Sequence, residues 1–193
     1  YSVGTLDLAT PILKMRSLKP DWVYVTGYSK DLILARKQMA DMKLTAPVVT
    51  MITGPVYKEF LDALGPQAEN ITSATWWHHS AQHKSDDIWG TTKAFYDEFF
   101  AREKFDPDYV HAASAAALVV LQKAIEKARS TDKAKVREAL STLDTSTFYG
   151  PVKFGPNGMN MAITGLPIGQ VQGGTFVPLF PESVKRGNLR PFK

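Results

Sequence analysis

Histidines and hydroxyl side chains are the residues of this sequence that could carry out chemistry. His79 and His83 are four residues apart, the spacing of two metal ligands on one helical face. His111 precedes Ser114 by three residues, and a histidine beside a serine could form a nucleophilic pair. No third ligand stands at a fixed spacing from the first pair, and no Gly-x-Ser-x-Gly turn exposes the serine. We therefore expect neither a metal site nor a catalytic residue, and interpret His111 as structural or ligand-lining.

A second group of polar residues follows two predicted strands. Tyr28 has a ring that could stack on a ligand and a hydroxyl that could donate a hydrogen bond. Thr53 offers a hydroxyl, and Gly54 allows close backbone approach. Ligands of parallel sheets bind beyond the carboxyl ends of the strands, so we predict ligand contacts here. Trp77, at the end of a third predicted strand, and His111 complete the candidate ligand-binding residues.

The elements that must position these residues alternate between strand and helix in the first 77 positions. Short β-rich runs and helical patterns follow one another with brief loops between them. This order predicts a parallel sheet flanked by helices, the α/β class. Ahead of it, Thr10 is predicted to cap a helix whose first turn contains Pro11. The predicted strands are 22–26, 47–52 and 71–77, and the predicted helices are 30–42 and 56–64.

The second half of the sequence has a different pattern. Three helices are predicted after Asp86, the first with a wide aromatic stripe between Ile88 and Phe100 that favours a core position. The chain then returns to strand, and Gly173-Gly174 is typical of a hairpin turn. The pattern changes from strand-rich to helical near 78–86 and back near 144–149. These changes divide the chain into segments 1–79, 80–145 and 146–193. The later elements are predicted at 88–100, 106–128, 130–143, 149–154, 166–172 and 175–180.

Composition excludes several classes of function. Hydrophobic residues make up 44% and charged residues 22% of the 193 positions, as in ordinary globular proteins. Four of the 23 basic residues fall in the last nine positions, and the other 19 balance 19 acidic residues. We therefore interpret the tail as a solvated end and expect no nucleic-acid partner. No apolar run could span a membrane, so insertion is not expected. Without a phosphate-binding glycine motif or a cysteine, we predict no cofactor.

Several runs in this order resemble one protein family. They resemble the carboxyl-terminal half of periplasmic solute-binding proteins of the branched-chain amino acid ABC transporter type, which have the type I periplasmic binding fold. The resemblance covers residues 1–181. The runs are Asp21-Trp-Val-Tyr-Val-Thr-Gly-Tyr28, Gln38-Met39 with Leu44, Asp108-Tyr-Val-His-Ala-Ala113, Leu121-Gln-Lys-Ala-Ile-Glu126, Val136-Arg-Glu-Ala-Leu140 and Phe148-Tyr-Gly-Pro-Val-Lys-Phe154.

The resemblance implies two α/β lobes joined by three crossings, with the ligand clamped between them. Segment 1–79 would be a second-lobe βαβαβ region, 80–145 a helical region of the first lobe, and 146–193 the return to the second lobe. The chain begins at Tyr1 without a methionine or signal peptide. We therefore expect a piece of a longer protein, the carboxyl-terminal half of such a binding protein.

The resemblance also implies a ligand class. Tyr28 matches the family tyrosine that contacts the ligand from the second lobe, and Thr53 falls near the acidic residue that binds a ligand ammonium group. This sequence has no acid between Asp41 and Glu59, and a buried ammonium without a counter-charge is costly. An aromatic or aliphatic carboxylate, or an amide, therefore fits better than leucine. The rings of Tyr28, Trp76 and Trp77 would suit a planar ligand.

The resulting expectation is a periplasmic solute-binding component of an ABC importer. It would capture a small carboxylate or a branched-chain amino acid and deliver it to a membrane permease. A ligand-sensing receptor or regulator of the same fold is the first alternative. A small α/β enzyme that uses His111 or the histidines of 78–83 is the second, and a protein that only binds other proteins is the third.

Overall fold

The computed structural model describes residues 2, 4–163 and 165–192, and these divide into two compact units. Unit 1 contains the residues up to Thr75 together with those from Pro167 onward, and unit 2 contains Trp76–Leu166. The second boundary was predicted near 144–149 but lies about twenty residues later. Residues 144–166 stay with unit 2 because their two strands pair with each other and with no strand of unit 1.

The described residues form six α-helices, seven strands and two short 3₁₀ helices, Gly54–Val56 and Gly65–Ala68. The β-α-β-α-β order predicted for the first part is confirmed, with the third strand shorter than expected. In chain order the elements are α1 (Ala9–Ser17), β1 (Trp22–Thr26), α2 (Ser29–Asp41), β2 (Val48–Ile52), α3 (Lys58–Leu64), β3 (Thr72–Ala74), α4 (Thr92–Glu103), α5 (Tyr109–Ala128), α6 (Lys133–Ser141), β4 (Asp144–Thr147), β5 (Gly150–Lys153), β6 (Ile168–Gln172) and β7 (Thr175–Phe180).

Unit 1 is built on a five-stranded mixed sheet in the order β1-β2-β3-β6-β7. The first three strands are parallel, and β6 joins β3 in antiparallel register with Thr72 opposite Gln170. The predicted hairpin of β6 and β7 is confirmed. Gly173 and Gly174 both have positive φ angles, which glycine adopts without strain and which a two-residue hairpin turn requires.

One face of this sheet is buried and the other is open at β1. Val23 and Val25 belong to a core cluster with residues of all three unit 1 helices, such as Leu32. The alternate side chains of β1 face the other way, and Trp22 and Tyr24 are 60% and 51% exposed. Among the described strands β1 pairs only with β2, so it is an edge strand.

Helix starts differ from the predictions at two places. Thr10 was predicted to cap α1, but this is wrong: the helix begins at Ala9, whose N–H donates to Oδ1 of Asp7 at 2.8 Å. The first helix of unit 2 begins at Thr92 rather than Ile88, and the Thr91 hydroxyl caps it by accepting from the N–H of Ala94. In both cases a short polar side chain satisfies a free N–H at the start of the helix.

The residues after β7 are held on unit 1 by side-chain amides. We call residues 184–192 the carboxyl-terminal strap. The side chain of Gln170 donates to the carbonyl of Arg190 and accepts from its N–H, at 2.7 and 2.9 Å. Gln172 donates to the carbonyl of Asn188 at 2.7 Å. These bonds join side chains of β6 to the main chain of the strap.

The end of the strap is buried. Phe192 is 8% exposed, its N–H donates to the carbonyl of Pro47, and the Arg36 guanidinium lies 4.9 Å from its ring centre. The Arg36 Nε also donates to the carbonyl of Gln67 at 2.6 Å, and burial lowers the pKa of this arginine. The tail was predicted to be a solvated end, which is wrong for its main chain because the strap is anchored to the core.

Unit 2 has an aromatic core. The rings of Phe95 and Phe148 stack with centroids 4.1 Å apart, and Trp89 meets both edge-on. The loop before α4 is fastened to this core by Asp87, whose carboxylate accepts from the N–H groups of Trp89, Gly90 and Phe148. No helix in the described part of the chain is long and apolar enough to cross a membrane.

Candidate ligand-binding site

Two of the predicted ligand contacts lie at one edge of the unit 1 sheet. Thr26 and Ile52 are paired at the carboxyl ends of β1 and β2. Tyr28 follows the first of these residues by two positions, and Thr53 follows the second by one. The structure therefore brings Tyr28 and Thr53 to the edge where parallel sheets bind ligands.

Tyr28 presents its ring to solvent while its main chain starts a helix. The side chain is 74% exposed, and the carbonyl accepts from the N–H of Leu32 at 3.0 Å. No side chain caps the amino end of α2, which has thirteen residues. This edge of unit 1 thus combines an exposed phenol, which can donate a hydrogen bond, with a helix start whose first turn already contains the acidic residue Asp31.

Thr53 has an unusual backbone conformation. Its φ is +73° and its ψ is −41°, a region that β-branched residues rarely adopt. The Thr53 hydroxyl donates to the carbonyl of Ile52 at 2.6 Å, and the main-chain carbonyl of Thr53 accepts from the N–H of Val56. Because its hydrogen is committed to the main chain, the Thr53 hydroxyl is left as an acceptor.

Gly54 is required by the packing beneath this turn. It is buried, and a Cβ added to it would lie 2.8 Å from Cδ2 of Phe60 and 2.9 Å from Cδ1 of Leu32. Both neighbouring side chains are fully buried. The lack of a side chain at Gly54 therefore serves the core of unit 1, and its predicted role in ligand approach remains a prediction.

Trp77 is a core residue of unit 2 and does not line an open surface. It is 3% exposed, its ring stacks on Tyr149 at 6.0 Å, and it meets Phe95 edge-on. Its neighbour Trp76 is 45% exposed and packs against Tyr109 at 5.0 Å. Trp76 is therefore the more exposed tryptophan of this pair, and the ligand contact predicted for Trp77 stays a prediction that its burial in this structure does not support.

His111 is oriented by the start of α5. Its Nδ1 lies 2.8 Å from Oδ1 of Asp108, the residue that caps the helix. The ring meets Phe99 and Phe105 edge-on, and the side chain is 39% exposed. This geometry makes His111 a partly exposed residue fixed by aromatic packing. Its predicted contact with a ligand is not tested by the structure.

The other histidines lie before α4. The rings of His78 and His79 are 4.1 Å apart, and the His79 ring also contacts Tyr96 at 4.4 Å. The His83 ring lies beside Gly150, where an added Cβ would be 3.4 Å from Nε2 of His83. Burial lowers the pKa of His83. Within residues 2, 4–163 and 165–192, no three metal-ligating side chains of His, Cys, Asp or Glu come together.

Asp31 was missed in the sequence analysis. It lies in the first turn of α2, three residues after Tyr28, and is 4% exposed. Its Oδ1 accepts from the N–H of Gly4 at 3.1 Å, and its Oδ2 has no partner among the described residues. The stretch between Asp41 and Glu59, which contains no acid, does not include this position, and acidic residues are common in the first turn of a helix.

Unit 2 also contains a groove of about 700 Å³ between α6 and the turn after β5. None of the predicted site residues lines it. Its walls include Arg137, Leu140, Ser141, Phe154, Pro156 and Asn157. Tyr28, Thr53 and Gly54 therefore form a group in unit 1, while Trp77 and His111 belong to unit 2.

Comparison with known proteins places the chain in a family. The model of the periplasmic binding protein family matches residues 1–175, and the chain belongs to this family. It is similar in fold to a leucine-binding protein from Thermotoga maritima, with a TM-score of 0.79, 23% identity, and coverage of 92% of this chain and 49% of that one.

Two further solved structures show how varied the ligands of such proteins are. One is the substrate-binding protein of a branched-chain amino acid transporter from Streptococcus pneumoniae in complex with isoleucine (TM-score 0.75, 17% identity, 92% of this chain and 50% of that one). Another is an ABC-transporter solute-binding protein from R. palustris in complex with benzoate (TM-score 0.73, 19% identity, 93% of this chain and 48% of that one). The chain thus spans about half the length of the structures it matches.

Proposed function

We propose that this protein acts as the solute-binding component of an ABC importer and captures a small carboxylate with an aromatic or aliphatic body. The observation that carries the proposal is that Tyr28 and Thr53 follow the carboxyl ends of two paired parallel strands. The protein would work in the periplasm by binding and lobe closure and would deliver its ligand to a membrane permease. No covalent step is needed.

The chemistry of the unit 1 edge supports a carboxylate. The Tyr28 hydroxyl can donate a hydrogen bond to a carboxylate oxygen. The Tyr28 ring is exposed enough to stack on a planar ligand. The isoleucine and benzoate complexes of the matched proteins are consistent with a ligand that carries a carboxylate.

An amino acid is the second candidate ligand, and Asp31 is the observation that favours it. This buried carboxylate has one oxygen without a partner among the described residues, three positions from Tyr28. It could supply the counter-charge that an ammonium group needs. Asp31→Asn would then abolish a response to isoleucine and leave a response to benzoate unchanged.

The test is calorimetric titration of the complete gene product with benzoate, hexanoate and isoleucine. We expect Tyr28→Ala to weaken binding by about fivefold or more, because a stacked ring contributes about 1 kcal/mol or more. Tyr24→Ala is the matched control. Tyr24 is also an exposed tyrosine, but it lies within β1, whereas Tyr28 lies beyond the carboxyl end of that strand. Equal losses in the two variants, or no binding from the whole panel, would overturn the proposal.

The 193-residue chain by itself should bind the same ligand more weakly than the complete gene product. Ligands of a two-lobed protein are enclosed from both sides, and exclusion of water strengthens each polar contact. Equal affinity of the two forms would show that the residues of this chain suffice for binding.

A further inference from the structure

The groove between α6 and the turn after β5 has no part in the proposed function. Its volume of about 700 Å³ lies within the range of about 300–1,000 Å³ that is typical of small-molecule sites. Gly158 lines it, and a Cβ added there would meet nothing within 4 Å. The groove is therefore large enough and open enough to hold a ligand.

Helix α6 forms one wall of the groove. Arg137, Leu140 and Ser141 line it and are three and four residues apart, the spacing of one helical face. Val136 and Ala139 lie on the adjoining face and are buried against α5. Packing of this second face holds α6 in place and leaves the first face available to a ligand.

The turn after β5 forms the other wall and is fixed by its own hydrogen bonds. The N–H of Gly155 donates to the carbonyl of Met159 at 2.9 Å. Oδ1 of Asn160 accepts from the N–H groups of Lys153 and Ala162 at 3.0 and 3.1 Å. A wall that is ordered before binding reduces the entropy that a ligand loses on binding.

Two side chains in these walls have donors to offer. Arg137 is exposed and forms no hydrogen bond or ion pair with the described residues. Asn157 uses its Oδ1 to accept from the N–H of Met159 at 3.1 Å, which leaves its Nδ2 without a partner among the same residues. A guanidinium and an amide can both donate to an anionic oxygen, and a guanidinium can do so through two parallel bonds. Leu140 and Phe154 supply apolar surface in the same walls.

The charges around Arg137 leave the groove positive. Lys133 lies one turn before it on α6 and is exposed. Asp144, at the start of β4, forms an ion pair with Lys153, so its negative charge is already matched. Glu138 follows Arg137 in the chain but is not one of the residues that line the groove. An anion in the groove would therefore meet an unmatched positive charge.

The carboxyl end of α6 would oppose an anion if its carbonyl groups were free. The Nζ of Lys127 donates to the carbonyl of Thr142, and the hydroxyl of Ser141 donates to the carbonyl of Glu138 at 2.8 Å. These bonds bring a positive charge and hydrogen-bond donors to the negative end of the helix dipole. The helix end thus does not cancel the positive charge of Arg137.

We propose that this groove is a second small-molecule site, which binds an anionic amphiphile. The carboxylate or phosphate group of such a ligand would accept hydrogen bonds from Arg137 and Asn157, and its apolar body would pack on Leu140 and Phe154. The groove belongs to unit 2, whereas Tyr28 belongs to unit 1. The proposal is therefore independent of the solute proposed for the strand ends of unit 1.

Photolabelling of the complete gene product tests this site. The probe is octanoate with a diazirine at its apolar end, and the labelled residues are located by peptide mass spectrometry. Octanoate, octyl phosphate and 1-octanol then compete with the probe, which separates a carboxylate, a phosphate ester and an uncharged body. Arg137→Gln removes the guanidinium. Lys135→Gln is the matched control, because Lys135 is an exposed cation of the same helix that does not line the groove.

We expect the label on α6 and on the turn after β5, with at least about tenfold weaker displacement by 1-octanol than by the better of the two anions. Stronger displacement by octanoate would identify a free acid as the ligand, and stronger displacement by octyl phosphate a phosphate ester. Arg137→Gln should weaken labelling by about tenfold or more, because hydrogen bonds between charged groups are the strong ones, and Lys135→Gln should leave it unchanged.

A blocking variant provides a second test that leaves the charge of the groove unchanged. Ser141→Phe places a ring in the groove and should abolish the label there, while an unchanged circular dichroism spectrum shows that the variant is folded. The proposal is overturned if no label appears in the groove or if 1-octanol competes as well as the anions. Equal labelling of the Arg137→Gln and Lys135→Gln variants would also overturn it, because Arg137 would then have no specific role.

Discussion

Substitution of Gly54 by alanine should destabilise unit 1 although it adds only one methyl group. The added Cβ would lie 2.8 Å from Cδ2 of Phe60 and 2.9 Å from Cδ1 of Leu32. Ordinary carbon contacts are about 3.5 Å or longer, so these side chains must shift by roughly 0.6 Å. Both are 0% exposed and packed on all sides, so neither can move into solvent.

The expected loss follows from the cost of overpacking a core. Inserting a methyl group into a packed interior costs about 1–3 kcal/mol. For a chain of this size that corresponds to a decrease in Tm of roughly 2–10 °C. Gly165→Ala is the matched control, because a Cβ there meets nothing within 4 Å. That variant should be neutral or slightly more stable, since alanine restricts the unfolded chain.

Urea unfolding followed by far-ultraviolet circular dichroism measures both variants. Phe60→Leu, alone and combined with Gly54→Ala, tests the mechanism. Leucine leaves space beside the new methyl group, so the double variant should lose less unfolding free energy than the two single variants lose together. The reasoning is refuted if Gly54→Ala is as stable as the unsubstituted chain, or if the two changes simply add.

Two other substitutions test features of each unit. Phe192→Ala should lower the free energy of unfolding by about 3 kcal/mol in urea titration, since it removes a buried ring from the core and from Arg36. Leu189→Ala is the control: this side chain is exposed, so its loss should change the free energy of unfolding by less than about 0.5 kcal/mol. His83 has a pKa lowered by burial, so its contribution to stability is present above about pH 6.5 and is lost as the pH falls through the folded-state value. His83→Gln should therefore reduce the decrease in Tm between pH 7.5 and pH 5, and an unchanged decrease would show that His83 is not responsible.

Local patterns in the sequence were sufficient to predict most of unit 1. The β-rich run at 22–26 and the helical spacing at 30–42 each depend on neighbouring residues, and both elements are confirmed within a few residues. The hairpin was predictable because Gly173 and Gly174 supply the positive φ angles of its turn. The family resemblance is confirmed by the match to residues 1–175.

Features that depend on distant residues could not be predicted. Strand β4 has the sequence Asp-Thr-Ser-Thr, without apolar alternation, and forms only because β5 pairs with it. The strap is held by Gln170, a polar residue whose burial depends on carbonyl groups at positions 70 and 190. Likewise, consecutive tryptophans look equivalent in a sequence, and only the packing of Tyr149 and Phe95 shows that Trp77 is the buried one.

The candidate site was only partly predictable for the same reason. Tyr28 and Thr53 come together because paired parallel strands end at the same edge, which the strand pattern implies. The need for glycine at position 54 comes from Phe60 and Leu32, and this three-dimensional contact leaves no signal in the sequence.

The division of the chain has a consequence for its synthesis. Unit 2 is a continuous segment, but unit 1 needs both the residues up to Thr75 and those after Pro167. On the ribosome, unit 2 can therefore complete its contacts while the first 75 residues still lack β6, β7 and the strap. Within this chain, the residues up to Thr75 are made before unit 2 but complete their unit after it, so loss of a few residues near Phe192 should damage the core formed by the earlier segment.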